Sequence, residues 1–416
     1  MGNGAREHTL VWKLAQSPKV EGIFAAPGNA GTAELAYNLP INATDIESLA
    51  QATQEKGIDL VVVGPETPLA GGITDYLQQK SIPVFGPTMA AAALESSKVF
   101  AKELLQEYNI PCARSVSFTD YKQAEEYIYQ QTMPVVIKAD GLAAGKGVTV
   151  AETREQALGA LDKIMKARAF GSAGNSVVVE EFLSGREMSA FAFTDGRNII
   201  PMVAACDYKR AYDGNLGPNT GGMGSYSPPC FYSPALAKTV NEVIMRPAVR
   251  AMEHKNRIYK GVLYGGLMVT ADGPKVLEFN ARFGDPETQV ILPLLKTDLL
   301  DVIMAVINGN LNQIDVTWSE NACVGVVMAS GGYPDRYKTG LPISGLDKVD
   351  EDVLVFHAGT RVGDEPGQIL TSGGRVLTVV ATGKTIKQAR DRVYANLCHI
   401  QFEDCFYRKD IAQMVD

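Results

Sequence analysis

Short apolar stretches alternate with longer segments of helical character over the first 110 residues of this 416-residue chain. The stretches at 22–26, 58–63 and 82–85 each end at a glycine or proline turn. Strands separated by helices pair in parallel, because a parallel pair needs a crossover connection. The pattern therefore predicts a doubly wound parallel α/β domain over residues 1–110, with its strand-end loops at one edge of the sheet.

The rest of the chain has the turn signals of antiparallel hairpins. Asp195-Gly196 and Asp272-Gly273 each separate two apolar runs, which predicts two hairpins. We expect a two-lobed α+β domain over residues 111–319, with a smaller lobe at about 112–183. A small α+β cap domain is expected over residues 320–416.

Two capping boxes mark helix starts within these domains. Thr44 with Glu47, and Thr153 with Gln156, have the Ser/Thr-x-x-Glu/Gln spacing in which each side chain accepts a hydrogen bond from a free backbone amide. A further helical stretch covers residues 89–108 and stops at Pro111.

Charge and cysteine usage exclude several classes of protein. The chain has 39 Lys and Arg against 47 Asp and Glu, a net charge of −8, and no long run of like charges. This balance argues against a nucleic-acid partner. No stretch approaches 18 apolar residues, and the six cysteines form no C-x-x-C pair. We therefore expect a cytoplasmic protein with reduced thiols and no membrane partner.

Three glycine-containing loops follow the predicted strands of the N-terminal domain. Because the carboxyl ends of parallel strands meet at one edge, these loops are candidates for a ligand site. Glu66 would suit a sugar hydroxyl or an amine. The candidate substrate-binding residues are Gly4, Arg6, Asn29, Gly31, Gly64, Pro65 and Glu66.

The first of these loops, Gly2 to Arg6, begins like a dinucleotide-binding fingerprint and then departs from it. Glu7 stands at the position of the third glycine, and the next strand does not end at an acidic residue. What remains is a turn that offers backbone amides at a helix N-terminus, with Arg6 close by, to a small phosphate. An ordinary strand-to-helix turn is the alternative.

A basic glycine-rich loop, Lys138 to Gly147, lies between two apolar strands. It is not a Walker A loop, because only three residues separate Gly141 from Gly145 and Gly147 takes the position of the magnesium-binding hydroxyl. Its free amides, together with Lys138 and Lys146, could still close over a triphosphate. A merely flexible hairpin is the alternative.

The segment Glu180 to Glu187 combines a strand end with acidic residues. The backbone of a strand edge, here at Glu181 and Leu183, can pair with the Watson–Crick edge of adenine, and an acid such as Glu187 can accept ribose hydroxyls. Solvated surface acids are the alternative interpretation.

Glu278, Asn280 and Arg282 carry the strongest chemical signal in the chain. Residues two apart on a strand face the same side, so these three project together while Leu277, Phe279 and Ala281 pack into a core. Carboxylate and amide oxygens suit magnesium bound to phosphates, and a guanidinium can stabilise phosphoryl charge. The pattern predicts a metal–phosphate site with Glu278 and Asn280 as ligands.

A charged cluster, Asp207 to Arg210, precedes a glycine-rich loop that includes Asn219 and Thr220. Together they could clasp a carboxylate substrate, with Asp207 and Lys209 as candidate catalytic residues. A surface loop is an equal alternative on spacing alone.

Taken in order, these motifs resemble phosphoribosylamine–glycine ligases of the ATP-grasp superfamily. The similarity covers nearly the whole chain. Its two most specific strings are K-A-D-G-L-A-A-G-K-G-V and E-F-N-x-R-F-G-D-P-E-T-Q, and G-N-G-x-R-E-H with A-P-G-N-A-G-T distinguishes this family from other ATP-grasp enzymes. The resemblance implies a pre-ATP-grasp domain, a two-lobed ATP-grasp unit and a C-terminal cap.

The resemblance also implies the substrates ATP, glycine and 5-phosphoribosylamine, and Mg²⁺ or Mn²⁺ as the metal. Glycine would be activated as glycyl phosphate, which must be protected from water. Glu278 and Asn280 would hold the metal, Arg282 and Lys138 would carry phosphate charge, and Lys98 matches another phosphate-side lysine of the family. The implied ATP contacts are Lys98, Lys138, Gly141, Gly145, Lys146, Gly147, Glu180, Glu181, Leu183 and Glu187, and the implied contacts near glycine and the acyl acceptor are Asp207, Lys209, Asn219 and Thr220.

Three departures from the family pattern stand out. Tyr208 occupies a position where histidine is expected, and Leu216-Gly217 replaces a more acidic approach to the glycine-rich loop. The turn at Gly2 should follow an apolar strand of about six residues; we expect that the natural product starts upstream or that the strand was lost.

Two other functions remain open at this stage. One is a related ATP-grasp ligase that acts on another purine intermediate, and the other is a nucleotide-binding regulatory protein with an idle metal strand. We expect a monomer or weak homodimer in each case.

Overall fold

The computed structural model describes residues 1–143 and 146–413 of the chain. Its N-terminal part has short strands separated by helices, as the alternating pattern predicts. The strands are β1 (Phe24–Ala25), β2 (Tyr37–Asn38), β3 (Val61–Val62) and β4 (Val84–Phe85), and the helices are α1 (Ala5–Leu14), α2 (Thr32–Leu35), α3 (Ile46–Glu55), α4 (Glu66–Ala70), α5 (Ile73–Gln79) and α6 (Met89–Ser96).

The strand pairs of this part are parallel, with β1 next to β2 and β3 next to β4. Met1 and Gly2 lie between the two pairs. Gly2 donates its amide to Ala26 O at 2.6 Å and accepts from Gly28 N at 3.1 Å, while Met1 O accepts from Gly64 N at 3.2 Å. These two residues therefore connect the β1 side to the β3 side of this part through backbone hydrogen bonds.

The middle part contains two antiparallel four-stranded sheets. One has the order β5-β8-β6-β7 and the other β10-β9-β15-β16. The elements from residue 98 to 201 are α7 (Lys98–Glu107), β5 (Ser115–Phe118), α8 (Tyr121–Gln130), β6 (Val135–Ala139), β7 (Val148–Ala151), α9 (Arg154–Leu161), β8 (Val177–Glu181), β9 (Arg186–Asp195) and β10 (Ile199–Pro201). Those from residue 206 to 308 are β11 (Cys206–Asp207), β12 (Arg210–Tyr212), β13 (Leu216–Asn219), β14 (Gly224–Ser227), α10 (Pro234–Val240), α11 (Arg246–His254), β15 (Lys260–Thr270), β16 (Gly273–Asn280), α12 (Thr288–Ile291) and α13 (Leu299–Asn308).

The C-terminal sheet is shared with the middle part of the chain. Its order is β11-β14-β17-β22-β19, so β14, which follows the glycine-rich loop, pairs directly with the C-terminal segment, and β11, which carries Asp207, joins the sheet through β14. The remaining elements are β17 (Ala322–Ala329), β18 (Pro342–Ile343), β19 (Leu354–His357), β20 (Thr360–Val362), β21 (Ile369–Thr371), β22 (Arg375–Gly383) and α14 (Ile386–Leu397).

Local structure differs from the sequence-based expectation at three places. Asp45, and not Thr44, caps α3, because its carboxylate accepts the Ser48 amide at 3.1 Å. The predicted helix over 89–108 breaks at Ser97, whose extended backbone ends α6 while its hydroxyl caps α7. Leu277 is not a core residue: a bulge in β16 puts Val276 in the core instead.

The smaller lobe has a hydrophobic core of its own, built between α8, α9 and the sheet β5-β8-β6-β7. Within the described residues, no helix is both long enough and apolar enough to cross a membrane.

Candidate functional site

The predicted metal ligands lie at the end of β16. Within the described part of the chain, the Glu278 carboxylate has no hydrogen bond or ion pair, so its oxygens are available to a ligand. Burial opposes its ionisation, but the positive charges of Lys209, Lys138 and Lys98 outweigh this effect and lower the pKa of Glu278. Asn280 Oδ1 accepts a hydrogen bond from Arg282 at 3.3 Å.

These two residues fit a hard divalent cation, because both present oxygen and Glu278 remains charged. No cluster of three or more His, Cys, Asp or Glu that could hold a metal occurs in residues 1–143 and 146–413. Glu278 and Asn280 are the two ligands that the sequence predicts, and Mg²⁺ commonly completes its coordination with phosphate oxygens and water.

Arg282 is held by two carboxylates from the N-terminal part. Its Nε lies 3.2 Å from Glu66 Oε2, and its Nη2 lies 3.0 Å from Glu95 Oε1. Burial disfavours the guanidinium charge, yet Glu95 and Glu66 raise the pKa of Arg282 above its usual range. Glu95 Oε2 also accepts the Ala281 amide at 2.7 Å. The loop after β16 is therefore fixed to α6 and α4.

Lys138, on β6, lies in a buried charge cluster. Its ammonium is 2.9 Å from Glu180 Oε2 and donates to Leu277 O at 3.0 Å, the carbonyl exposed by the β16 bulge. Lys102 lies 3.2 Å from the other oxygen of Glu180. The Glu180 carboxylate, 2% exposed, is thus paired on both sides.

The first residues of the predicted glycine-rich loop, Asp140 and Gly141, contact the start of α7. Lys98 Nζ donates to Gly141 O at 3.1 Å, and Asp140 Oδ1 accepts from both Ser97 Oγ and Val99 N at 3.1 Å. Lys146 is exposed and Gly147 is buried. Gly145 lies outside the described residues.

The other predicted nucleotide contacts lie on and after β8. Arg114 binds both carboxylate oxygens of Glu181, at 3.0 Å through its amide and 2.8 Å through Nε, and Arg114 O accepts the Glu181 amide at 2.9 Å. Leu183 is buried, and Glu187 forms an ion pair with Lys209.

Asp207 and Lys209 lie where the C-terminal sheet meets the larger lobe. Burial raises the pKa of Asp207 to about 7, against the attraction of Lys209. Burial would lower the pKa of Lys209, but Asp207 and Glu187 raise it well above its usual value. Thr220 donates to Lys209 O at 2.8 Å, and Asn219 is exposed on β13. Asp207, Lys209 and Glu278 therefore belong to one electrostatic cluster.

This region is held in place by the chain near its C-terminus. Arg408, 1% exposed, forms two hydrogen bonds of 2.7 Å with Asp410 and donates to Arg210 O at 3.0 Å. Tyr208, the residue that departs from the family pattern, accepts the Ala412 amide at 2.9 Å. Arg408 also stacks on the Tyr208 ring, 4.8 Å from its centroid.

A cavity of about 240 Å³ lies beside the first turn of α1. Its lining includes the predicted residues Gly4, Arg6 and Pro65, together with Thr67 and Asp285. Asp285 Oδ1 accepts from Gln289 at 2.8 Å and pairs with Arg375 at 3.3 Å. Its other oxygen lies 3.3 Å from the position that a Cβ on Gly4 would take, and so faces the cavity.

Several loop residues on this side are already engaged with the chain. The Gly4 amide, expected to be free for an anion, donates to Glu7 Oε2 at 2.7 Å. Arg6 pairs with Glu7 at 2.6 Å and donates to Phe283 O at 3.1 Å. A side chain at Gly64 would collide with Glu7. An anion in this cavity would have to use other amides of the turn.

Asn29 and Gly31 pack against the C-terminal part. Asn29 Nδ2 donates to His357 O at 2.7 Å, and Asn29 Oδ1 accepts the Thr32 amide at 2.9 Å. A Cβ at Gly31 would lie 2.2 Å from the His8 ring, so only glycine fits there. Their substrate-binding role stays a prediction.

Four residues of this site carry no prediction from the sequence: Glu95, Lys102, Asp285 and Arg375. Asp285 lies inside the quoted string E-F-N-x-R-F-G-D-P-E-T-Q, so a signal for it was present. The other three contact partners that are remote in sequence. The one signal in the sequence is a charged residue on an otherwise apolar helix face, as at Lys102.

Three family models match consecutive parts of the chain. They are the N domain (residues 1–95), the ATP-grasp (A) domain (96–288) and the C domain (323–414) of phosphoribosylglycinamide synthetase. A phosphoribosylamine–glycine ligase from Halalkalibacterium halodurans is 49% identical over 412 residues, covering 99% of this chain and 95% of the relative.

Solved structures agree with these sequence matches. The phosphoribosylamine–glycine ligase of Thermotoga maritima, 34% identical, superimposes with a TM-score of 0.86 over 99% of this chain and 98% of that one. A biotin carboxylase domain from Hydrogenobacter thermophilus, in complex with ADP and its magnesium salt, is 14% identical with a TM-score of 0.73 over 97% of this chain and 90% of that one. The latter shows the fold alone. By sequence and by fold, the chain belongs to the phosphoribosylamine–glycine ligase family of ATP-grasp enzymes.

Proposed function

We propose that this protein ligates glycine to 5-phosphoribosylamine at the expense of ATP, giving glycinamide ribonucleotide, ADP and phosphate in the second step of de novo purine synthesis. Family membership supports the reaction type. The observation that carries the proposal is the Glu278 carboxylate, which has no hydrogen bond or ion pair within residues 1–143 and 146–413 and lies in the field of Lys98, Lys138 and Lys209. A free carboxylate among ammonium groups suits a metal-bridged polyphosphate.

The reaction would proceed in two displacements. A carboxylate oxygen of glycine attacks the γ-phosphorus, the bond from that phosphorus to the ADP oxygen breaks, and glycyl phosphate forms. The amine of phosphoribosylamine then attacks the carbonyl carbon, the carbon–oxygen bond to phosphate breaks, and the amine gives up one proton. The loop 141–147 would exclude water from the acyl phosphate.

Each group of residues has a separate task in this proposal. Lys138 and Lys98 would neutralise phosphate charge, Arg282 would add positive charge beside the metal ligands, and the Glu181 and Leu183 backbone would hold adenine. Glu278 and Asn280 would hold Mg²⁺ or Mn²⁺, which screens the phosphate oxygens from the attacking carboxylate.

The substrate side would be divided between two places. The cavity at Gly4, Arg6 and Pro65 would take the phosphoribosyl group, where the free oxygen of Asp285 would accept a hydrogen bond from a ring hydroxyl or the amine. Glycine would bind near the residues predicted for it, Asp207, Lys209, Asn219 and Thr220. Residues 1–110 would thus serve phosphoribosylamine, 111–319 ATP, and 320–416 closure of the site.

The test is ADP and phosphate release from ATP with each substrate alone and with both. We expect turnover only when glycine and phosphoribosylamine are both present. Turnover with a different amine acceptor would identify a related ligase, and nucleotide binding without turnover would identify a regulatory protein. The metal, as Mg²⁺ or Mn²⁺, the oligomeric state, as a monomer or weak homodimer, and a cytoplasmic location stay predictions.

A further inference from the structure

Lys102 is a buried lysine that the proposed reaction does not use. It lies on α7, one turn after Lys98, and only 4% of it is exposed. Its ammonium forms no geometrically good hydrogen bond, and Glu180, at 3.2 Å, is its ion-pair partner. A buried ammonium costs several kcal/mol unless it is compensated, so its presence calls for a reason.

The reason lies in the charge balance around Glu180. Lys102 binds one carboxylate oxygen and Lys138 binds the other, and all three side chains are buried. The cluster therefore keeps one net positive charge. If Lys102 were neutral, the single carboxylate would cancel the charge of Lys138 in a medium of low dielectric constant.

The Lys138 ammonium is placed so that its positive charge can act on a ligand. Of its three N–H groups, one meets Glu180 Oε2 at 2.9 Å and one meets Leu277 O at 3.0 Å. Within the described residues the third has no partner, so it is available to a ligand. Lys138 is also among the charges that lower the pKa of Glu278, so its field reaches the candidate metal site.

We propose that Lys102 is a positioning residue that neutralises Glu180 and thereby leaves the positive charge of Lys138 available to the phosphates of ATP. The proposal rests on the proposed function, in which Lys138 contacts those phosphates. It predicts that Lys102 affects the binding of the polyphosphate and does not affect the binding of adenine.

The test compares ATP with adenosine as ligands of the intact protein, by calorimetry. We expect Lys102→Met to weaken ATP binding about tenfold, because it removes one nearby unit charge worth about one pKa unit of interaction, while adenosine binding changes less than about twofold. Lys122→Met, an exposed lysine on α8, is the matched control and should leave both affinities unchanged.

A second variant keeps the test decisive if Lys102→Met folds poorly. Lys102→Arg keeps the positive charge beside Glu180, so ATP should bind to this variant within about threefold of wild type. Equal weakening of ATP and adenosine binding in Lys102→Met, or ATP binding in Lys102→Arg as weak as in Lys102→Met, would overturn the proposal. Wild-type protein that binds ATP but forms no glycine- and phosphoribosylamine-dependent ADP would instead contradict the proposed function.

Discussion

Glu66 and Arg282 form an ion pair of 3.2 Å that joins the first residue of α4 to the loop after β16. Glu66 lies next to Pro65, which lines the 240 Å³ cavity, and Arg282 donates to Asn280 Oδ1. Burial opposes the Glu66 charge, but Arg282 and Arg6 together lower the pKa of this carboxyl. Glu66, which lies between the cavity-lining residues Pro65 and Thr67, is therefore linked to the candidate metal ligand Asn280 through Arg282.

We expect Glu66→Gln to weaken this connection without loss of the fold, since Glu66 is partly exposed. A charge-assisted hydrogen bond contributes about 1.5–3 kcal/mol, so KM for phosphoribosylamine should rise at least tenfold. KM for ATP should stay within about twofold. Initial rates with each substrate varied will check this, with exposed Glu47→Gln as control. A rise in KM for ATP alone would contradict the assignment.

Glu278→Ala should abolish turnover and spare most of the nucleotide affinity. The carboxylate is the only charged group among the two metal ligands, and metal stabilisation of phosphoryl transfer is worth several kcal/mol, which corresponds to about 10³-fold in rate. Single-turnover ADP formation and Mn²⁺ titration are the measurements. Asp272→Ala, on the turn of the same hairpin, should behave as wild type. Unchanged turnover in Glu278→Ala would support the regulatory alternative.

Asp285→Asn tests the carboxylate oxygen that faces the cavity. The amide keeps one oxygen for Gln289 but removes the negative charge near Arg375. We expect KM for phosphoribosylamine to rise about tenfold, as for the loss of one charge-assisted hydrogen bond, with KM for glycine unchanged. Asp315→Asn, an exposed acid, is the control. A rise in KM for glycine alone would contradict the assignment of Asp285 to the phosphoribosylamine cavity.

Much of the fold follows from local pattern. The hairpin of β15 and β16 was predicted because an Asp-Gly turn separates two apolar runs, and the structure has strands at Lys260–Thr270 and Gly273–Asn280. The bulge at Leu277 was not predicted, because strict alternation is the default and the displacement depends on pairing with β15. The five-stranded sheet was also missed, because β14 and β17 are far apart in sequence.

The candidate site divides in the same way. Glu278, Asn280 and Lys138 can be predicted as candidates because their motifs are contiguous in sequence. Glu95 and Lys102 were missed because their meaning comes from partners on other elements, Arg282 and Glu180. Gly31 is predicted to belong to a ligand loop, and the structure adds that the His8 ring leaves no room for a side chain there. A motif identifies a chemical group; its partners depend on the tertiary fold.

Arg408→Met should destabilise the loop that carries Tyr208 and Lys209. Arg408 is fully buried and bonds to Asp410, Arg210 O and Asn215 Oδ1. Removing Arg408 leaves the Asp410 carboxylate uncompensated, and because that side chain is 22% exposed we expect a cost below the ~3–5 kcal/mol of a fully buried pair. Urea unfolding will measure this, and Lys409→Met, which is exposed, should cost little.

Adding Asp410→Asn to Arg408→Met should recover part of that free energy, because no unpaired carboxylate then remains. Arg408→Met alone should also raise KM for glycine, because the loop that carries Tyr208 and Lys209 lies beside Asp207. Equal stability of the single and double variants would show that the charge of Asp410 is not what Arg408 compensates.

His8 and His357 meet across the boundary between α1 and β19, with ring centroids 5.6 Å apart. The His357 amide donates to His8 Nδ1 at 2.9 Å. Burial lowers the pKa of His8 to about 3, with a further contribution from the charge of His357, and burial lowers the pKa of His357 to about 4. Both rings are therefore neutral in the folded protein at pH 5.5.

The unfolded chain protonates these histidines below about pH 6.5, while the folded chain does not, so the free energy of unfolding falls as the pH falls. From pH 6.5 to 5.5 the loss should be about 1 kcal/mol per histidine. His8→Gln, whose amide oxygen can still accept the His357 N–H, should remove its share of this slope. Urea unfolding at several pH values measures the slope, with exposed His399→Gln as the control that keeps it. A His8→Gln slope equal to that of wild type would mean that His8 is protonated in the folded state.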